Sequence, residues 1–339
     1  MTQEPARRSA GTIQKRRVQQ PWPKDKPFRI LSIDGGGICG ILPASVLAEL
    51  EIRYLGGKSI AGYFDLIAGT STGGIIALAL AYGETAQTIR DVYVHEGHKI
   101  FPPASKIGRL YRLLVRGFRY LYRREPLEQE LKAIFGDTLL GAAKTRLCIP
   151  AFEGRHGEPW IYKTPHHPDF VLDKNASMVT VGLATAAAPT FFEGLPNEGY
   201  MMIDGGLWAN NPVMNALVDA LTCYDLDRSQ IQILSLGCGE TSFTVSSAKA
   251  KGGMLRWYNA IAAAMRAQSK NALGQAYLLI GKDRVLRIDA PESSSPIQLD
   301  DHCRASNELP NMARSLVEAC GREIERSFLQ QPVDPFIPV

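Results

Sequence analysis

The 339-residue sequence has little of what marks a metalloprotein, a disulfide-rich secreted protein or a membrane-spanning protein. Its six cysteines include no C-x-x-C pair, which argues against a zinc site and a disulfide framework and predicts reduced thiols. No uninterrupted apolar run reaches the roughly 18 residues needed to cross a bilayer, because glycines around Ser71 and the pair Gly83-Glu84 break the longest one. We therefore do not expect an integral membrane protein.

An excess of charge of one sign is confined to the start of the chain. Residues 1–27 contain seven Lys or Arg and two acidic residues, whereas the other 312 residues contain 31 basic and 32 acidic residues. The first 27 residues also lack the apolar stretch of a secretory signal. We expect a flexible basic arm over residues 1–27, a cytoplasmic protein and no nucleic-acid partner.

From Phe28 onward, short β-branched runs alternate with longer segments of helical period, which is typical of an α/β fold with a largely parallel sheet covered on both faces. No linker interrupts this order, so one domain is predicted over residues 28–329, with surface loops at 239–253 and 290–306 and a tail at 330–339. In such sheets, ligands bind at the carboxyl ends of the strands. We expect the glycine-bearing strand ends after Ile33, Ala68 and Ile203 to meet there.

The segment LIAGTSTGGI, residues 66–75, places Ser71 where an apolar strand should turn into a helix. Gly69 and Gly73 suit a sharp turn that lifts the serine hydroxyl clear of the sheet, at a helix N-terminus that favours negative charge. This pattern is typical of a nucleophile elbow. A tight turn without any chemistry is the alternative.

The glycine loop, residues 34–40 with the sequence DGGGICG, also follows a strand and opens a helix. Its Gly35, Gly37 and Gly40 fit the G-x-G-x-x-G pattern of dinucleotide-binding loops. The acidic residue expected at the end of a second strand is missing, since Glu49 and Glu51 fall within a helical period. An oxyanion hole of backbone N–H donors and a purely structural turn are the alternatives.

The base that would activate Ser71 has two candidates. Asp204 ends the run YMMI and precedes Gly205 and Gly206, which allow close backbone approach, although an aspartate there also suits a cap. Of the six histidines, His302 alone falls in a predicted loop late enough for the order Ser, Asp, His of α/β-hydrolases. A Ser-Asp pair and a Ser-Asp-His triad therefore both stay open on these grounds.

Three blocks of sequence, residues 34–40, 69–74 and 204–206, resemble in order and spacing the motifs of the patatin-like phospholipases. The segments ATAAAPTFFEGL (184–195) and ANNP (209–212) are similar to that family as well. The resemblance implies a three-layer α/β/α patatin-like fold with a largely parallel central sheet. It also implies hydrolysis of fatty-acyl esters of membrane phospholipids through an acyl-enzyme, with neither a metal nor an organic cofactor.

The resemblance also assigns roles to individual residues. Ser71 is the nucleophile and Asp204 is the base of a dyad without histidine. The oxyanion hole is assigned to Gly35, Gly36 and Gly37, with N–H donors from Gly36 and Gly37. The remaining motif glycines are Gly40, Gly69, Gly73, Gly205 and Gly206.

The resemblance covers residues 28–240, and it has one departure. Where the family usually has Arg or Lys before the last glycine of the first block, this sequence has Cys39, so a cation near the glycine loop is missing. Residues 241–329 contain no nucleotide motif and are assigned a regulatory role. Some bacterial relatives are activated by a cyclic dinucleotide in antiphage defence, so such an activator, and a homo-oligomer, are the expected partners besides lipid.

Residues 106–125 read as a basic amphipathic helix, with leucines and a phenylalanine opposite a stripe of arginines. Such a helix binds anionic headgroups at a membrane surface, which predicts peripheral membrane association of the active enzyme. An ordinary helix with solvated or paired arginines, or a contact with an anionic ligand or another subunit, are the alternatives. The stripe consists of Arg109, Arg112, Arg116, Arg119 and Arg123.

The resemblance implies two functions, and the glycine-loop pattern alone implies a third. The first is an acyl hydrolase on membrane lipids, and the second is the same hydrolase acting as a cyclic-dinucleotide-activated effector that degrades membranes. The third is a nucleotide-binding module that uses the glycine loop. A noncatalytic storage or interaction protein is disfavoured because all three motif blocks are intact.

Overall fold

A central sheet organises the chain in the computed structural model, which describes residues 5, 7, 17–103, 120–239, 260–293 and 295–339. Its strands coincide with the short apolar runs of the sequence. They are β1 (Phe28–Ile33), β2 (Leu66–Gly69), β3 (Arg146–Glu153), β4 (Glu158–Lys163), β5 (Leu195–Asn197), β6 (Tyr200–Asp204), β7 (Ile231–Leu236) and β8 (Val285–Ile288).

Helices connect most of these strands. A short 3₁₀ turn, Gly37–Gly40, leads from the glycine loop into the first of them. The α-helices in the described residues are α1 (Ile41–Tyr54), α2 (Thr72–Tyr82), α3 (Ala86–Ile100), α4 (Glu125–Phe135), α5 (Met178–Thr185), α6 (Gly206–Ala209), α7 (Val213–Cys223), α8 (Ala260–Ile280) and α9 (His302–Phe328).

Two apolar cores lie on opposite faces of the sheet because successive strand residues point to opposite sides. Leu31 and Ile33 of β1 belong to the larger core, which includes buried residues of α1 to α5 and α9. Ile30 belongs to the smaller core, together with residues of α7 and α8. The result is helices, sheet and helices in three layers, which confirms the predicted fold class.

The sheet is parallel in only part of its width. Along the order β5-β6-β3-β2-β1-β7-β8, the neighbours from β3 to β8 run parallel. Strands β4 and β6 run antiparallel to β3, and β5 runs antiparallel to β6. The sheet is therefore mixed, and the strand that ends at Asp204 does not share the direction of β1 and β2.

Strands β2 and β6 lie end to end along the same edge of β3. Cys148 of β3 pairs with Ala68 of β2, and Ala151, three residues later, pairs with Asp204 of β6. Strand β4 pairs with both of these β3 residues and so occupies the other edge. Because β6 is antiparallel to β3, the carboxyl ends of β2 and β6 point at each other across a gap beside Pro150.

Two segments differ from the helices and loops predicted for them. The predicted loop 290–306 ends at Asp301, whose carboxylate caps α9 by accepting the Arg304 N–H, so residues 302–306 are helical. In the predicted helix 106–125, residues 120–124 are not helical, and α4 begins at Glu125. Arg123 is exposed, whereas Arg109, Arg112, Arg116 and Arg119 lie outside the described residues.

Both terminal segments lie against the domain where the structure describes them. In the predicted flexible arm, residues 17–27 contact the smaller core, with the Trp22 ring centroid 4.8 Å from that of Phe28. In the predicted tail, the Val339 N–H donates to the Pro165 carbonyl at 2.8 Å. Within the described ranges, no helix combines the length and apolar character needed to span a membrane.

Candidate active site

Ser71 occupies a strained turn between β2 and α2. Its φ of 55° and ψ of −122° are rare for a residue with a side chain. The turn is tight enough that a Cβ on Gly69 would collide with the Gly73 carbonyl, and one on Gly73 would collide with the Ile33 carbonyl. Glycine at both positions therefore permits the turn, and the serine is left at the N-terminus of α2.

The structure brings Ser71 and Asp204 into direct contact. The Ser71 hydroxyl donates to Asp204 Oδ2 at 2.6 Å, and the Gly206 N–H donates to Asp204 Oδ1 at 2.6 Å. Both carboxylate oxygens are thus engaged, and the aspartate is only 5% exposed. This geometry is suited to transfer of the serine proton to the carboxylate.

The Asp204 carboxyl group has an unusually high proton affinity. Burial raises its pKa from 3.8 to about 6, against the hydrogen bonds from Ser71 and Gly206, which lower the pKa. The group is therefore mostly ionised at neutral pH, and its pKa is close enough to 7 for it to accept a proton readily.

Thr185 holds the backbone of Ser71. Its Oγ1 accepts the Ser71 N–H at 2.9 Å and donates its own hydrogen to the Pro150 carbonyl at 2.5 Å. Thr185 is fully buried at the end of α5. It lies within the 184–195 segment that resembles the family, but no motif pattern gave this residue a role.

The glycine loop lies directly beside the serine. A Cβ on Gly35 would sit 3.3 Å from the Ser71 Cβ, and one on Gly36 would collide with Cys238. Gly37 has a φ of +55°, the left-handed region that glycine adopts most readily. The loop is therefore packed between the nucleophile turn and the end of β7.

The three glycines assigned to the oxyanion hole differ in what their N–H groups bind. The Gly35 N–H donates to the Asn210 carbonyl at 2.9 Å, so this N–H is not available to an oxyanion. Among the described residues, the Gly36 and Gly37 N–H groups donate to no protein acceptor. Of the three glycines, only Gly36 and Gly37, the two to which the resemblance gives the donor role, therefore have N–H groups left for an oxyanion.

The other motif glycines lie around the same centre. Gly40 is in contact with Thr72, the residue after the serine, and Gly205 is in contact with the Pro150 carbonyl. Gly206 supplies the N–H that binds Asp204. These contacts bring the three motif blocks together at one point of the sheet.

The histidine alternative has no support in the geometry. His302 is the first residue of α9, not a loop residue, and its Nε2 lies 2.9 Å from the Val94 carbonyl. Its ring contacts that of His98 at a centroid distance of 5.9 Å. The position that a histidine would take beside Ser71 is occupied by the Asp204 carboxylate.

One buried cluster offers potential metal ligands away from the serine. Ligand atoms of His166, Asp219 and Cys223 lie within 4.8 Å of one another. However, the Lys163 ammonium already pairs with the Asp219 carboxylate, and burial raises the pKa of the Cys223 thiol to about 12. A metal ion would have to displace the lysine and the thiol proton, so this donor set does not suit one.

Cys39 supplies no charge to the glycine loop. Its Sγ lies 3.8 Å from the Ile297 carbonyl and 3.9 Å from the Gln298 carbonyl. Burial raises the pKa of this thiol to about 12, with Asp301 and Asp300 contributing in the same direction. The thiol is therefore neutral, in line with the missing cation that the sequence indicates.

Comparison with known proteins identifies similar sequences. The family model of the patatin-like phospholipase domain matches residues 31–217. A cGAMP-activated phospholipase of Vibrio cholerae is 36% identical over 247 residues, covering 67% of this chain and 69% of that protein. One of Escherichia coli is 35% identical over 236 residues, covering 66% and 65%. Patatin-like protein 2 of Arabidopsis thaliana is 34% identical over 270 residues, covering 67% and 64%.

These alignments reach only part of each relative. The chain spans about two thirds of the length of the curated relatives it matches. The matched family region includes Ser71, Asp204 and the whole glycine loop, whereas β8 and α9 lie beyond it.

Proposed function

The chain belongs to the patatin-like phospholipase family, and on that premise we propose that it hydrolyses fatty-acyl esters of membrane phospholipids with Ser71 as nucleophile and Asp204 as base. The observation that carries this proposal is the 2.6 Å hydrogen bond from the Ser71 hydroxyl to Asp204 Oδ2. A serine with a carboxylate acceptor, at a strained turn beside unoccupied backbone donors, has the parts of an acyl-transfer site.

The proposed reaction has two halves. Asp204 takes the Ser71 proton as Oγ attacks the ester carbonyl carbon, and the Gly36 and Gly37 N–H groups bind the resulting oxyanion. Collapse breaks the bond to the lysolipid oxygen, which takes the proton from Asp204 and leaves an acyl-serine. Water then attacks the acyl carbon while Asp204 removes a water proton. The second collapse releases the fatty acid and returns the proton to Ser71.

The same contacts count against the nucleotide-binding alternative. A dinucleotide loop binds pyrophosphate through consecutive backbone N–H groups. Here the N–H groups of Gly35 and Ile38 already donate to Asn210 and Leu299, and the loop packs against Ser71. Two free donors suit one oxyanion better than a pyrophosphate.

Regulation is proposed by analogy with the named relatives. Two of these are cGAMP-activated phospholipases, so we propose a cyclic dinucleotide as the activator of this chain, in an antiviral membrane-degrading role. Peripheral membrane association from the cytoplasm and a homo-oligomeric state belong to the same proposal. We treat residues 28–329 as one catalytic domain because β8 completes the sheet that carries the site.

The test is fatty-acid release from vesicles of phosphatidylethanolamine and phosphatidylglycerol, with and without cGAMP. We expect Ser71→Ala and Asp204→Asn to lower the rate of fatty-acid release by comparable, large factors, since the members of one catalytic unit fail together. His302→Ala should retain most of the activity. Release by Ser71→Ala at the wild-type rate would overturn the proposal, and an inactive but folded His302→Ala variant would indicate a triad.

Covalent labelling separates the hydrolase from the nucleotide-binding module. A fluorophosphonate should label wild-type protein at Ser71 and leave Ser71→Ala unlabelled. A cGAMP requirement would appear as release only in its presence. Equal release with and without cGAMP would remove the activator from the proposal and leave the hydrolase reaction in place.

A further inference from the structure

Arg287 reaches from the edge strand β8 to the start of the glycine loop. Ser235 of β7 lies between them in the sheet, in register with Arg287. Nη1 donates to Ser235 Oγ at 2.9 Å and to Asp34 Oδ1 at 3.0 Å, while Nη2 donates to Asp34 Oδ2 at 2.8 Å. The guanidinium therefore grips the Asp34 carboxylate with two parallel hydrogen bonds, the geometry that makes such pairs directional.

A second carboxylate completes the cluster. Arg287 Nη2 also donates to Asp289 Oδ2 at 2.6 Å, and Asp289 Oδ1 accepts the Gly239 N–H at 2.8 Å. Although burial opposes it, Asp34 and Asp289 hold the pKa of Arg287 above its usual value. The side chains of Arg287, Asp34 and Asp289 are at most 14% exposed. Without the guanidinium, two carboxylates would face each other in a buried place.

The glycine loop is fixed on both sides of its free donors. On one side, the Asp34 N–H donates to the Leu236 carbonyl at 2.9 Å and the Asp34 carboxylate binds Arg287. On the other side, the Ile38 N–H donates to the Leu299 carbonyl at 2.9 Å. Next to Asp34, the Gly35 N–H also donates to the Asn210 carbonyl at 2.9 Å. The Gly36 and Gly37 N–H groups lie between these anchors, so their direction depends on how firmly Asp34 and Gly35 are held.

We propose that Arg287 is a positioning residue for the glycine loop. Arg287 clamps Asp34, so that the Gly36 and Gly37 N–H groups point at the carbonyl oxygen of the substrate. This role rests on the proposed function, because it matters only if an oxyanion forms beside Ser71. It places β8, which lies beyond the matched family region, in the support of the catalytic centre. The role does not replace the cation missing at Cys39, since the two carboxylates more than neutralise Arg287.

The test compares Arg287→Lys with a matched control on a soluble p-nitrophenyl ester. Lysine keeps the charge but cannot form two parallel bonds to Asp34. We expect kcat to fall about 100-fold, with KM changed less than about threefold, because misplaced oxyanion donors affect the transition state more than the bound ester. Arg53→Lys is the control, since Arg53 also pairs with two carboxylates, Glu49 and Glu318, on the outer surface. It should keep the wild-type kcat.

Fluorophosphonate labelling distinguishes positioning from loss of folded enzyme. In Arg287→Lys, the final labelled fraction should stay near that of the wild type while the labelling rate falls with kcat, because phosphonylation also develops charge at the oxyanion hole. Asp34→Asn should lower kcat similarly, and the double variant should lower it little further, since both residues act through one contact. These results would support the clamp.

Two results would overturn the clamp. One is a wild-type kcat in Arg287→Lys, and the other is a drop in labelled fraction with an unchanged rate for each labelled site. All of these assays are run with and without cGAMP. If the wild-type protein neither cleaves the ester nor reacts with the fluorophosphonate in either condition, the proposed function itself fails and the clamp fails with it. Wild-type activity that is lost in Ser71→Ala but unaffected by Arg287→Lys would remove only the clamp.

Discussion

Thr185 Oγ1 accepts the backbone N–H of Ser71 at 2.9 Å while donating to the Pro150 carbonyl. The contact ties the strained serine to β3, at the gap where β2 and β6 point at each other. Because its N–H is bound by Thr185, Ser71 cannot use that group to stabilise an oxyanion. The contact also fixes the side of the turn from which the serine hydroxyl approaches Asp204.

Replacing Thr185 with valine should therefore impair the site with little change in shape. The change leaves the Ser71 N–H and the Pro150 carbonyl without their hydrogen-bond partner, which should lower the free energy of unfolding by about 1–3 kcal/mol. Loss of serine alignment should lower kcat for a soluble ester by at least about tenfold. Thr180→Val is the control, since Thr180 of the same helix contacts Ser177 and not the site. Equal effects of the two changes would contradict the role given to Thr185.

The rate of ester cleavage should depend on the ionisation of Asp204. A protonated carboxyl group cannot accept the serine proton, and burial places the pKa of Asp204 at about 6. We expect kcat/KM for a soluble neutral ester to rise with pH, to be half-maximal near pH 6 and to level off above it. A profile that is half-maximal near pH 4 would mean that Asp204 titrates as an ordinary surface aspartate. Circular dichroism at each pH checks that the protein stays folded.

The carboxyl ends of β2 and β6 meet, as predicted, but the sequence pattern does not show how β6 comes to point at β2. Glycines around Ser71 and after Asp204 mark local turns, so both ends of the site are predictable from local sequence. The direction of β6 depends on its pairing with Ala151 of β3, about fifty residues away in the chain. The alternation of strand and helix predicts a largely parallel sheet, and it does not indicate the antiparallel pairing of strands β4 to β6.

Tertiary contacts also set helix ends and hydrogen-bond partners that sequence periodicity does not predict. The periodicity predicts helix through residue 125, but residues 120–124 are not helical, and the N–H groups of Leu121 and Tyr122 donate to the carbonyls of Thr190 and Phe191. The Gly35 N–H is bound by Asn210, far away in sequence. In contrast, the start of α9 has a local signal, since an aspartate at residue 301 is a favoured N-cap. The short run VLRID around Arg287 could have indicated β8, but nothing local shows that its arginine reaches Asp34.

The elevated pKa of Asp204 also has a consequence for stability. A folded-state pKa of about 6 against 3.8 means that ionising Asp204 disfavours the folded state. The penalty appears as pH rises from about 4 to 6 and is constant above, reaching up to about 3 kcal/mol. Asp204→Asn should therefore be more stable than wild type at pH 8, with the difference vanishing near pH 4. Urea unfolding at both pH values measures this, and an equal difference at both would refute the pH linkage.

The ionised Asp219 carboxylate should stabilise the folded state, whereas ionised Asp204 destabilises it. The Asp219 carboxylate pairs with the Lys163 ammonium and lies 2.7 Å from His166 Nε2, on the face of the sheet away from α1. Although burial alone would raise it, Lys163 and His166 hold the pKa of Asp219 below its usual range. The contribution of this carboxylate to stability is therefore present at neutral pH and is lost as the pH falls below the pKa of an aspartate in the unfolded chain.

Asp219→Ala should consequently lower the free energy of unfolding by about 3–5 kcal/mol at pH 7, because it leaves a buried lysine charge without its partner. The loss should narrow in urea unfolding at pH 3, where the unfolded chain binds the proton that the folded wild type resists. Asp225→Ala is the control, since Asp225 is exposed and pairs with Lys24 at 3.2 Å, and it should change stability by less than about 1 kcal/mol. Similar losses for both variants would show that Lys163 finds other partners when Asp219 is removed, and that the cluster does not depend on this carboxylate.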